Sequence, residues 1–62
     1  MPVVQIHMFE GRTAEQKRAL VKKVTEAVSE TINTPPEAVH IILTDMSRGD
    51  YADGGVLYSE KK

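Results

Sequence analysis

The chain has 62 residues, which is short for a domain that must be stable alone. It has no cysteine for a disulfide, and no acidic cluster lies at metal-ligand spacing from its two histidines. Association with a partner subunit is therefore the expected source of additional stability. Its net charge of −1 gives no electrostatic basis for nucleic-acid binding, and it has neither an apolar run near the roughly 20 residues of a membrane span nor a signal-peptide pattern. We therefore expect a single domain over residues 1–62 that forms a cytoplasmic homo-oligomer and binds neither nucleic acid nor membrane.

Two segments predict a strand followed by a helix. Residues 3–9 (VVQIHMF) begin with β-branched residues and place Val4, Ile6 and Met8 on one face, which is typical of a strand. Thr13 followed by Gln16 fits a capping box, and an apolar stripe at three- and four-residue steps then predicts an amphipathic helix over residues 13–32. Pro35-Pro36 should end it, because the residue before a proline avoids the helical region.

The remaining segments complete a β-α-β protomer. Residues 39–46 (VHIILTDM) predict a second strand, and the consecutive apolar residues 41–43 predict that both of its faces are buried. The two strands should be parallel, since a helix connects them. Gly54-Gly55 predicts a turn or a small hairpin in the tail, which we expect to reach onto a neighbouring subunit.

So small a sheet leaves two open edges and an uncovered apolar face. Two parallel strands and one helix are not stable by themselves. We therefore expect copies of the chain to pair strands edge to edge and to stack their sheets. Residues at the strand ends would then meet residues of other chains, so that one site could combine several subunits.

The sequence closely resembles the 4-oxalocrotonate tautomerase family over nearly its whole length. Each matching segment is weakly specific alone, but together they follow the family's order and spacing: Pro2 after the initiator Met, Phe9-Glu10-Gly11-Arg12, Glu15-Gln16-Lys17, Ile41-Ile42-Leu43-Thr44-Asp45-Met46 and Gly54-Gly55. The resemblance implies an α/β (α+β) tautomerase fold, assembled as a hexamer built as a trimer of dimers. It also implies a cofactor-independent isomerase for 2-hydroxymuconate-like enol or unsaturated keto acids, of a type associated with aromatic degradation.

The resemblance implies that Pro2 is the general acid/base. Once Met1 is removed, a proline at the N-terminus is a secondary amine that can accept and release a proton, whereas any other proline nitrogen is a non-basic amide. An α-amino group has a pKa of about 7.7–8.0 in model peptides, and burial beside a cation lowers that pKa toward neutrality. A positioned base of this kind contributes roughly 10²–10⁴-fold in rate.

Four further residues are expected to bind substrate. In the family, the arginine at the position of Arg12 binds a substrate carboxylate, and Phe9 occupies a leucine position at the pocket mouth. His40 stands where better-known members carry an arginine that polarises the 2-keto oxygen and the adjacent carboxylate. A histidine lacks the permanent charge and the bidentate fork, so slower turnover of dicarboxylates is expected. Tyr51 replaces an active-site phenylalanine and keeps the aromatic wall.

Other readings of the sequence remain open. Solvent-exposed or structural roles are the alternatives for Arg12, His40 and Tyr51. A decarboxylase or a dehalogenase acting on 3-haloacrylates would need a group that activates water or stabilises a different intermediate, for which Tyr51 and Asp53 are the candidates. A non-catalytic oligomeric binding module that keeps the scaffold is the alternative from another functional class, and a β-ribbon DNA-binding protein is disfavoured by the acidic charge balance.

Overall fold

The computed structural model describes residues 1–61, which form a parallel strand pair, one long helix and a short hairpin. The strands and the helix are β1 (Val3–Phe9), α1 (Ala14–Ile32), β2 (His40–Met46), β3 (Ala52–Asp53) and β4 (Val56–Leu57). Single-turn 3₁₀ helices occupy Pro36–Ala38, Arg48–Asp50 and Tyr58–Glu60. The predicted β-α-β protomer with a C-terminal hairpin is thereby confirmed. Within residues 1–61, no helix combines the length and the apolar character that a membrane span requires.

The helix α1 begins as predicted and ends for a different reason. The Thr13 hydroxyl accepts a hydrogen bond from the Gln16 N–H at 3.1 Å, and the Gln16 side-chain carbonyl accepts one from the Thr13 N–H at 2.9 Å. At the other end Asn33 adopts the left-handed conformation (φ 56°, ψ 56°), and its N–H bonds to the Ser29 carbonyl. The left-handed cap ends the helix before Pro35 can do so.

The strands β1 and β2 pair in parallel from Val3 opposite His40 to Phe9 opposite Met46. The hairpin strands pair antiparallel through a two-residue loop, in which Gly54 and Gly55 have φ values of 58° and 83°. Positive φ at both loop positions matches the twist of a hairpin and is readily adopted by glycine. The Gly-Gly turn predicted from the sequence is therefore a true hairpin turn.

Burial in the protomer differs from the prediction for β2. Ile41 and Leu43 are half-buried, but Ile42 between them is 48% exposed. The prediction that both faces of this strand are buried is wrong for the single chain, because α1 covers only one face of the sheet. Among residues 1–61, no second layer covers the opposite face, which carries Val3 and Ile42.

The protomer is too open to hold a hydrophobic core. Among residues 1–61 no side chain is buried, and large apolar side chains are exposed on the sheet and the hairpin. The Cα radius of gyration is 14.8 Å, whereas a compact chain of this length would have roughly 10–11 Å. The single chain therefore leaves apolar surface and sheet edges available to other copies.

Candidate functional site

The structure brings Pro2 and His40 together at the amino ends of the parallel strands. The His40 N–H donates to the Pro2 carbonyl at 3.0 Å, and the next residue, Val3, lies opposite His40 in the sheet register. Pro2 is half-buried and His40 is exposed. Pro2 and His40, which the whole helix separates in sequence, are thus held next to each other by the first hydrogen bond between the two strands.

Phe9 and Tyr51 meet at the opposite, carboxyl ends of the strands. Their ring centroids lie 5.4 Å apart with the planes at 89°, an edge-to-face arrangement. Tyr58 joins them, 4.8 Å from Phe9 and 6.3 Å from Tyr51. We call Phe9, Tyr51 and Tyr58 the aromatic cluster. It gives the predicted pocket residues Phe9 and Tyr51 a shared apolar surface.

Tyr58 was not predicted as a site residue, although the sequence contains a signal for it. A two-residue Gly-Gly loop pairs Asp53 with Val56 and Ala52 with Leu57, which brings the next positions outward, Tyr51 and Tyr58, opposite each other. The Tyr58 N–H donates to the Tyr51 carbonyl at 2.8 Å, as this register requires.

Arg48 is a second residue that sequence reasoning missed. Its guanidinium carbon lies 4.7 Å from the centroid of the Phe9 ring, within the range of a cation–π contact. The single turn that carries Arg48 is closed by the Asp50 N–H, which donates to the Ser47 carbonyl at 3.0 Å. No pattern in the sequence links position 48 to position 9, because the contact arises only when the turn packs beside the end of β1.

Arg12 lies in a separate cleft on the helix side of the sheet. The lining residues are Met8, Arg12, Gln16, Lys17 and Leu20. Lys17 is engaged by the Asp45 carboxylate at 2.9 Å, and Arg12 forms no salt bridge within residues 1–61. Met8 and Phe9 are consecutive strand residues, so they point to opposite faces of the sheet. Arg12 therefore does not join the aromatic cluster of its own protomer.

The predicted site residues consequently fall at opposite ends of one chain. Pro2 and His40 are separated from Phe9, Tyr51 and the Arg12 cleft by the length of a seven-residue strand, about 20 Å at the usual rise per residue.

Two further features concern metal binding and the availability of Asp53. Among residues 1–61, no group of three or more His, Cys, Asp or Glu side chains could hold a metal ion, and the Asp53 carboxylate is ion-paired with Lys61.

Comparison with known proteins identifies the family. A family model described as "Tautomerase enzyme" matches residues 2–61. A probable tautomerase of Listeria monocytogenes is 50% identical over 97% of this chain and 98% of its own length, and a 2-hydroxymuconate tautomerase of Pseudomonas putida is 43% identical over 97% and 95%.

Solved structures agree with the sequence relatives. The crystal structure of YwhB, a homologue of 4-oxalocrotonate tautomerase, superposes with a TM-score of 0.93 at 44% identity, covering 98% of this chain and 100% of that one. A heterohexamer 4-oxalocrotonate tautomerase from Chloroflexus aurantiacus J-10-fl gives a TM-score of 0.90 at 27% identity, with full coverage of both chains. The chain therefore belongs to the tautomerase enzyme family, among the homologues of 4-oxalocrotonate tautomerase.

Proposed function

We propose that the chain is a cofactor-independent keto–enol tautomerase for enol or unsaturated keto acids of the 2-hydroxymuconate type, with the Pro2 amine as general acid/base. The family supports a tautomerase-type isomerase. The observation that carries the finer proposal is that the expected site residues lie at opposite ends of one protomer. Pro2 lies at one end of the strands, and the aromatic cluster and Arg12 lie at the other end. Only juxtaposition of copies unites them.

Pro2 supplies the proton transfer in this proposal. With Met1 removed, the neutral pyrrolidine nitrogen takes the proton from an enol hydroxyl, the carbonyl forms, and the same nitrogen returns the proton to a carbon of the conjugated system. Atoms and charge balance without any co-reactant, so the net reaction is an isomerisation.

Arg12 and His40 divide the binding of the substrate's oxygen atoms. Arg12 precedes the first turn of α1, where a guanidinium fork and the free N–H groups of the helix both favour a carboxylate. His40, beside Pro2, donates one hydrogen bond toward the keto oxygen. Because an imidazole lacks the permanent charge and the bidentate fork with which arginine binds a carboxylate, enol acids with one carboxylate are the favoured substrates.

The proposed assembly is a hexamer built as a trimer of dimers. Three features support it: the exposed edges of the β1–β2 sheet, the exposed apolar side chains Val3 and Ile42 on its uncovered face, and the hexameric assembly of a related tautomerase. Pairing of sheet edges satisfies the free backbone groups, and stacking of sheets buries the uncovered face.

The proposal is tested with a substrate panel and chain verified by intact mass to begin at Pro2. Ketonisation of 2-hydroxymuconate and phenylenolpyruvate without added cofactor is expected. Halide release from a 3-haloacrylate in place of ketonisation would favour the dehalogenase alternative, and absence of turnover on the panel would favour a binding module.

Replacing His40 by arginine should raise kcat/KM for 2-hydroxymuconate by at least about tenfold, since one added charge-assisted hydrogen bond contributes about 1.5–3 kcal/mol and the lower value already corresponds to that factor. The same change should also raise kcat/KM for phenylenolpyruvate, because that substrate carries the same 2-hydroxyl group next to a carboxylate. Parallel progress curves with both substrates measure the ratio of kcat/KM in the variant to kcat/KM in the wild type for each substrate.

His7→Arg is the matched control for this substitution. His7 is an exposed histidine on the same face of the sheet, one strand away and four residues further along the register. The His7→Arg substitution adds the same positive charge at a position away from Pro2. Equal effects of His40→Arg and His7→Arg would assign His40 a structural role only.

A further inference from the structure

We propose that Arg48 is a second carboxylate-binding residue, the permanent cation on the aromatic side of the site, and that it makes the protein select acids over uncharged analogues. The inference rests on the proposed function in one respect, the assignment of Tyr51 to the pocket wall. Its own basis is the position of the Arg48 guanidinium on the aromatic cluster.

The placement of Arg48 links it to Tyr51 through Phe9. The guanidinium carbon stands 4.7 Å from the Phe9 centroid, and the Tyr51 ring stands 5.4 Å from the same centroid. A ligand that contacts the Phe9 ring is therefore close to the Arg48 guanidinium. The Phe9 ring attracts a cation through its electron-rich face, which orients the guanidinium without neutralising its charge.

The neighbouring carboxylates have other partners. Asp50, two residues away, accepts a hydrogen bond from the Ser47 hydroxyl at 2.8 Å, and Asp53 in the hairpin is paired with Lys61. Within residues 1–61, Arg48 forms no salt bridge. The N–H fork, whose geometry matches a carboxylate, is thus available to an incoming anion.

Arg48 also provides what His40 does not. The guanidinium of Arg48 carries a permanent charge and a bidentate N–H fork, both of which an imidazole lacks. Arg12 supplies one such charge from the helix-side cleft, and Arg48 supplies another from the opposite face of the sheet. A carboxylate on the aromatic side of the pocket would therefore be bound by Arg48.

Equilibrium binding of cinnamate and cinnamamide, measured by titration calorimetry, tests this assignment without requiring turnover. Arg48→Met removes the charge and keeps an apolar side chain on the Phe9 ring, and Arg48→Gln removes the charge and keeps a polar, hydrogen-bonding end. Each variant is expected to weaken the Kd for cinnamate about tenfold, the loss typical of one charge-assisted hydrogen bond, and to leave the Kd for cinnamamide unchanged. Arg18→Gln, on the exposed face of α1, should change neither.

The outcomes separate binding from packing and from catalysis. Unchanged cinnamate binding in both Arg48 variants, or an equal loss for cinnamate and cinnamamide, would overturn the assignment. Failure of both variants to assemble like the wild type would give Arg48 a folding role and would also overturn it. Full ketonisation by Pro2→Ala would instead overturn the proposed function, while selective loss of cinnamate binding would still assign Arg48 to the anion.

Discussion

Replacing Pro2 by alanine is expected to lower kcat for the ketonisation of 2-hydroxymuconate by about 100-fold, the lower end of what a positioned general base contributes. Alanine keeps an N-terminal amine, but its nitrogen rotates freely, whereas the pyrrolidine ring fixes the direction of the lone pair. Steady-state kinetics on mass-verified protein measure the loss.

Pro36→Ala is the matched control. Pro36 begins the 3₁₀ turn before β2, and its nitrogen is an amide with no basic lone pair. This variant should keep kcat within about twofold, since it alters only the backbone freedom of a surface turn. A Pro2→Ala protein as active as Pro36→Ala would remove Pro2 from the mechanism.

Mixing two impaired variants, Pro2→Ala and Arg12→Ala, should restore part of the wild-type activity. If Pro2 and Arg12 of one site come from different subunits, an assembly of Pro2→Ala and Arg12→Ala chains contains some sites in which both residues are wild type. Random mixing of equal amounts gives about a quarter of the sites this composition in a symmetric oligomer with one such pair per site. The expectation follows from the separation of the two residues along β1.

The mixing experiment requires joint unfolding and refolding of the two variants, followed by assay at low substrate concentration. Each variant refolded alone is the control, because it contains no site with both residues intact. Activity of the mixture that only equals the average of the two controls would place Pro2 and Arg12 of each site in the same subunit.

The elements predicted from the sequence were those that local signals determine. The strand over residues 3–9 follows from alternation, the start of α1 from the reciprocal bonds of Thr13 and Gln16, and the hairpin from Gly54-Gly55. The predicted end of α1 at Ile32 is confirmed, but its cause, the left-handed cap at Asn33, was missed because the nearby prolines offered a sufficient reason for the helix to end. In the structure a left-handed cap acts first.

Features that depend on distant contacts could not be predicted in the same way. The exposure of Ile42 depends on α1 covering a single face, which the apolar run of β2 does not reveal. The contact of Arg48 with Phe9 joins the ends of two segments that are remote in sequence. The opposite placement of Pro2 and Arg12 was predictable, since a strand separates them, but the side of the sheet on which Arg12 lies was not.

Controlled removal of Met1 tests the central claim most directly, because it creates the basic nitrogen without changing any side chain except Met1. Met1 is 85% exposed in the protomer. Chain that retains Met1 is treated with methionine aminopeptidase, and intact mass and ketonisation rate are followed in the same sample. The account predicts a rate that rises in proportion to the fraction of chain beginning at Pro2; full activity while Met1 is still attached would contradict it.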